Sequence, residues 1–111
     1  MRMVMPRMHV ISRRALREFW ELHLPAKEPL AVWYRLMRSA VFADFNALRK
    51  TFPAADYVAP CTIFDIGGNK YRVIAVIQYN RRRVYIRHVL THAEYDRWSD
   101  ERRKRKKRRK R

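Results

Sequence analysis

The chain has one cysteine, two glycines and ten acidic residues in 111, and each shortage removes a class of protein. A single thiol, Cys61, cannot form an intramolecular disulfide, which argues for a reducing, cytoplasmic setting. The two glycines stand side by side at 67–68, so there is neither a G-x-G-x-x-G fingerprint nor a P-loop, and no cofactor is indicated. No run of about 18 apolar residues could span a bilayer, and the opening MRMVMPRMHVISRR lacks the apolar segment of a secretory signal, so no membrane partner is expected. A metal site is poorly supported as well. The four histidines are scattered, and the pair His88 and His92 crosses a predicted strand-to-helix junction without the glutamate of HExxH.

What the chain has is positive charge. Twenty-seven Lys and Arg against ten acids give a formal net charge of +17, a field that concentrates polyanions, so nucleic acid is the leading partner. Residues 102–111 are all Lys or Arg, yet without them 17 basic side chains still face 10 acidic ones, so the body is basic in its own right. With 48% hydrophobic and 13% aromatic residues, 111 residues bury one core. The expected organisation is a disordered extension at 1–7, one folded domain at 8–100 and a disordered polybasic tail at 101–111, whose like charges repel.

Ser12 suits an N-cap, and Leu16, Phe19, Trp20 and His23 follow at helical spacing until Pro25, predicting a helix over 12–23. Leu30, Trp33, Tyr34 and Met37 mark the buried stripe of a second, over 28–40, with Pro29 in its first turn. One or two helical turns fit 44–53. Strands are predicted at 61–66, 70–79 and 84–90, joined by a Gly67-Gly68-Asn69 hairpin and the turn at 80–83, with His9-Val10-Ile11 as a further candidate strand. Thr91 and Glu94 have capping-box spacing, so a terminal helix should start at His92 and run past Trp98. The fold class is α+β: two N-terminal helices on one face of a small antiparallel sheet of three to four strands, with a short C-terminal helix.

Period-two alternation puts Lys70, Arg72, Ile74 and Val76 on one face of the central strand and Tyr71, Val73, Ala75 and Ile77 on the other. If the helices cover the second set, Lys70 and Arg72 lie on an open side, where a guanidinium can hold a phosphate bidentately. The plainer alternative, which holds for most charged residues, is a solvated sheet face with no duty. Arg87 and His88 point to opposite faces, and His88, in register with Val84 and Ile86, is as readily a buried, hydrogen-bonded histidine as a catalytic one. His92, Tyr95 and Asp96 stand at i, i+3 and i+4 on one side of the last helix, so a proton acceptor, a phenol and a carboxylate meet there. Against that, Glu94 and Asp96 complement the helix dipole, and Tyr95 with Trp98 could simply pack the helix onto the sheet. Tyr79 and Tyr85 beside Arg81-Arg82-Arg83 suit single-stranded RNA, or they merely pair across strands.

The segments MHVISRRALREFW (8–20), GGNKYRVIAVI (67–77) and VYIRHVLTHAEYDRW (84–98) resemble the HigB toxins, messenger-RNA interferases of the RelE superfamily in type II toxin–antitoxin systems. GGN-x-x-R followed by TH-x-EYD carries the likeness, which spans Met8 to about Trp98 and leaves out the tail. It implies a RelE-like fold, metal-independent cleavage of message in the ribosomal A site by attack of the 2′-hydroxyl on the adjacent phosphate, and neutralisation by a cognate HigA-like helix-turn-helix antitoxin. Operator DNA would be met only through the antitoxin complex. By that likeness Arg72 clamps the phosphate in the transition state, His92 is general base or acid, and Tyr95 orients the scissile segment. Lys70, Arg87, Arg82 and His88 would grip RNA and Asp96 would orient His92. The tail would bind ribosomal RNA, or hold an acidic antitoxin or DNA.

The competing reading is a non-catalytic RNA- or ribosome-binding protein using the same basic face. A DNA-binding module ranks last, since the predicted helices spend their faces on the core. The enzyme reading would fail if Arg72 were sealed inside and far from His92, with no shared cavity open to solvent.

Overall fold

Proline placement and apolar spacing shape the N-terminal half. In the computed structural model, which describes residues 7–109 and side chains through Lys106, β1 (His9–Ile11) leads into α1 (Arg13–Leu22). Of the extension expected at 1–7, all but Arg7 lies outside the described residues, as do 110–111 of the tail. Ser12 stands at the N-cap of α1, but its side chain makes no capping hydrogen bond. A short 3-10 turn at Leu24–Ala26 carries Pro25, and α2 (Lys27–Arg38) follows. Pro29 sits in the first turn of α2, where backbone N–H groups have no helical acceptor. Leu30, Trp33 and Met37 form its buried stripe. Asp44 caps α3 (Phe45–Thr51), accepting from the Ala47 N–H at 2.8 Å.

The sheet has five strands in the order β1-β5-β4-β3-β2, with β2 at Asp56–Val58, β3 at Cys61–Ile66, β4 at Tyr71–Gln78 and β5 at Arg83–Thr91. Three to four antiparallel strands are expected from the sequence; the sheet is larger and mixed. β1 runs parallel to β5, with α1 to α3 and the other three strands lying between them in the chain, and β2 adds an antiparallel edge to β3. Gly67, Gly68 and Asn69 all have positive φ, the backbone that the β3–β4 hairpin needs.

Both faces of the sheet are covered. On one, Leu16, Leu30, Trp33 and Met37 pack against Phe64, Ile66, Val73, Ala75 and Val84. On the other, Cys61, Ile63 and Ile74 are buried beneath Val58, Val76, Leu90, Tyr95 and Trp98, the last two from α4 (His92–Arg109). The side expected to lie open is therefore closed by the terminal helix. The physical reason is in the strands: Ile63-Phe64 in β3 and VIAVI in β4 are consecutive apolar residues rather than alternating ones, the mark of a sheet buried on both sides. Burying Ile63 and Ile74 stabilises the fold by about 1.5–3 kcal/mol each.

Helix α4 continues through 101–109, into the segment that charge repulsion assigns to a disordered tail. Its start obeys the capping box: the Thr91 N–H donates to Glu94 Oε1 at 3.0 Å and the Glu94 N–H donates to Thr91 Oγ1 at 3.2 Å. The first of these bonds holds the Glu94 carboxyl below its ordinary 4.5. A carboxyl so depressed stabilises the fold above pH 4.5 and loses that contribution as pH falls through the folded value. Glu94→Ala should cost about 1 kcal/mol at pH 7, and the gap to wild type should narrow in urea titrations at pH 3.

Candidate active site

The site forms where β5 passes directly into α4. The His92 N–H donates to the Lys70 carbonyl at 3.0 Å, so the last residue before β4 and the first of α4 are neighbours. Both side chains are exposed. His92 Nε2 lies 3.3 Å from Asp96 Oδ2, the i,i+4 contact that the spacing predicts, and each side chain is more than half exposed.

Arg72 lies one layer deeper. Its side chain is only 7% exposed, and four of its five donors are engaged. Nε faces Asp65 Oδ1 at 2.9 Å. Nη1 donates to the carbonyls of Asn69 and Tyr71, each at 3.0 Å, and Nη2 donates to Asn69 Oδ1. The Tyr95 ring covers the guanidinium, its centroid 5.0 Å from Cζ. The expectation that Arg72 stands on an open side is thus corrected, because α4 folds back over it. The surface open to solvent is shared by His92 and Lys70, with Arg72 behind Tyr95.

Tyr95 links the two layers. Its ring stacks near Trp98, with centroids 5.9 Å apart, and burial pushes its phenol above the ordinary 10.0, against the opposite pull of Arg72. The phenol therefore stays protonated at neutral pH and is a proton donor.

A β-bulge decides the fate of His88. Ile74 pairs with His88 but Ala75 pairs with Ile86, so Arg87 is an extra residue and the alternation of β5 slips by one. Val84 and Ile86 face the helical core, whereas His88 joins Leu90 on the α4 side. His88 is exposed rather than buried, its ring 6.3 Å from that of Trp98, and Arg87 is exposed at the bulge. Arg82 is not brought to the site. It sits with φ 56° in the opposite turn, across the whole of β5 from His92, roughly 30 Å at about 3.3 Å per residue. Tyr79 packs partly buried against the core and is not a free stacking platform, and the Tyr85 hydroxyl accepts from Arg83 at 3.3 Å.

Asp65, Asn69 and Trp98 belong to the site; the residue pattern gives Asn69 only a turn and Trp98 only a packing role, and assigns none to Asp65. The first was legible: Asp65 and Arg72 are placed symmetrically about the GGNK turn and therefore face each other across the hairpin. Among the described residues, no three His, Cys, Asp or Glu side chains cluster as metal ligands would, and no helix is long and apolar enough to cross a membrane.

Over 92 residues the chain is 33% identical to the mRNA interferase toxin HigB of Escherichia coli K12, covering 80% of this chain and 88% of the relative. The mRNA interferases HigB of Shigella flexneri and of Escherichia coli O6:H1 strain CFT073 are likewise 33% identical over 92 residues, with 88% and 89% of their lengths covered. Residues 26–98, which run from the start of α2 through the site, match the HigB toxin family, and the chain belongs to that family, described as the RelE-like toxic component of a toxin–antitoxin system.

Proposed function

We propose that the chain is an endoribonuclease toxin that inhibits translation by cutting messenger RNA in the ribosomal A site. The observation that carries this reading is the exposed His92–Asp96 pair beside Lys70, with a protonated Tyr95 on the same turn of helix. Membership of a toxin–antitoxin family implies an RNA substrate and an antitoxin partner. A HigA-like helix-turn-helix antitoxin fits, with operator DNA reached only through that complex, and the work is done in the cytoplasm, where messages are translated.

In the reaction, the 2′-hydroxyl attacks the adjacent phosphate in line. A donor on Nε2 directed at Asp96 leaves Nδ1 of His92 to accept the 2′-hydroxyl proton. The O2′–P bond forms, the P–O5′ bond breaks, and Tyr95 delivers a proton to the departing 5′ oxygen. The products are a 2′,3′-cyclic phosphate and a 5′-hydroxyl, and the step calls for neither metal nor cofactor. The guanidinium beneath the Tyr95 ring offsets the phenolate charge that develops. With four donors committed, Arg72 has one hydrogen left for a phosphate, so it serves chiefly to position Tyr95. The exposed Lys70 and Arg87, with His88 on the same face, take the larger share of the phosphate charge.

The test is induced expression with and without the antitoxin, followed by mapping of message 5′ ends. New ends within reading frames, abolished by the antitoxin, are expected. Ribosome binding with intact messages would favour the non-catalytic reading.

A further inference from the structure

Helix α4 changes character where it leaves the sheet. Tyr95, Trp98, Ser99, Arg102 and Lys106 recur at intervals of three and four and so share one side of the helix. The first two seal the second core. Beyond them, Arg102, Arg103 and Lys106 line a groove of about 210 Å³ whose far wall is Val58 of β2. Arg102 fixes its floor: Nη2 donates to the Ala59 carbonyl at 2.9 Å, and the guanidinium lies over Trp98 at 4.8 Å. Arg103 sits 3.6 Å from Asp100, and Arg102 and Lys106 have no carboxylate partner among the described residues. All three cations lie past Trp98, where the family match ends.

We propose that this groove is a subsite for single-stranded RNA flanking the scissile phosphate. Three features favour that occupant. The cations are matched to a polyanion. The groove begins at Tyr95, a member of the catalytic centre, so a strand leaving that centre meets it without a gap. From His92 to Lys106 the helix runs about 21 Å at 1.5 Å per residue, long enough to follow several successive nucleotides of one strand. The subsite rests on the reading of His92 and Tyr95 as the cleavage centre, and it gives the tail a defined place on the substrate.

The experiment uses the full chain with His92→Ala, so that RNA is bound without being cut. Arg103→Ala and Lys106→Ala are added together, leaving the Arg102 anchor, and a melting curve verifies the fold. Fluorescence anisotropy then follows labelled RNA single strands of 4 and 16 nucleotides and a 16-base-pair duplex between 50 and 300 mM KCl. Binding of the 16-mer should weaken about 5–10-fold near 150 mM salt, with the logarithmic salt slope shallower by about 1.4 for two lost single-strand contacts. The 4-mer should change less than twofold, and Arg103→Lys with Lys106→Arg should restore the 16-mer. An unchanged 16-mer, equal losses for the 4-mer and 16-mer, or equal losses for duplex and single strand would each overturn the subsite. Cleavage by the unsubstituted chain is scored separately: a length-dependent loss of binding with no cleavage keeps the subsite and sinks the chemistry, and the converse sinks the subsite alone.

Discussion

His92→Ala should lower message cleavage by roughly 10²–10⁴-fold, the usual yield of a positioned general base, while leaving the protein folded and RNA binding within about threefold. Stability should hold because the imidazole is half exposed and its one ionic contact is with an equally exposed Asp96, a surface pair worth about 0–1 kcal/mol at most. The separation of cleavage from binding is the informative part. In a non-catalytic RNA binder there is no cleavage for the substitution to abolish, and His92 would be a minor contact whose loss shifts binding only slightly. Cleavage of a programmed ribosome complex, with anisotropy on the same variant, distinguishes the two.

Arg72→Ala should behave quite differently, losing stability and cleavage at once. The guanidinium ties Asp65, the Asn69 turn and the Tyr71 carbonyl together, so its removal leaves four partly buried acceptors without their donors. Removing one partner of a buried ion pair costs about 3–5 kcal/mol, and the partly exposed Asp65 brings the expected loss here to about 2–3 kcal/mol. For a domain of this size the melting temperature should fall by roughly 10–20 °C. Arg72→Lys should recover little, because an ammonium cannot reproduce the fork that meets four acceptors. Were Arg72 instead an exposed phosphate clamp, cleavage would vanish with the melting temperature unchanged.

The difference between those two outcomes traces to what a sequence can disclose. Helices α1 to α3 were legible from Pro25, Pro29 and Pro53 and from the apolar spacing between them, and the β3–β4 hairpin from its three positive-φ residues. The Thr91–Glu94 capping box placed the start of α4 at His92. The edge strand β2 was not legible: three residues with exposed Asp56 and Tyr57 carry no alternation. Neither was the bulge at Arg87, since a one-residue slip leaves composition untouched while moving His88 to the other face. The burial of Arg72 depends on where α4 lies, and no periodicity within β4 reports that. The runs of consecutive apolar residues in β3 and β4 did signal two-sided burial, and weighing them above period-two alternation would have closed the face that Arg72 occupies. The helical state of 101–109 has a similar origin, because Arg102 is fastened to Trp98 and Ala59, contacts that a count of charges does not contain.

In the proposed reaction His92 draws a proton from the ribose 2′-hydroxyl, and that hydroxyl can itself be removed. A message bearing a single 2′-deoxynucleotide at the mapped cleavage position should bind the toxin–ribosome complex normally and resist cutting there. The unmodified message should yield a 5′ end that is labelled by kinase without prior phosphatase treatment. Cleavage of the deoxy-substituted message at that position, at a rate near that of the all-ribose strand, would contradict the account.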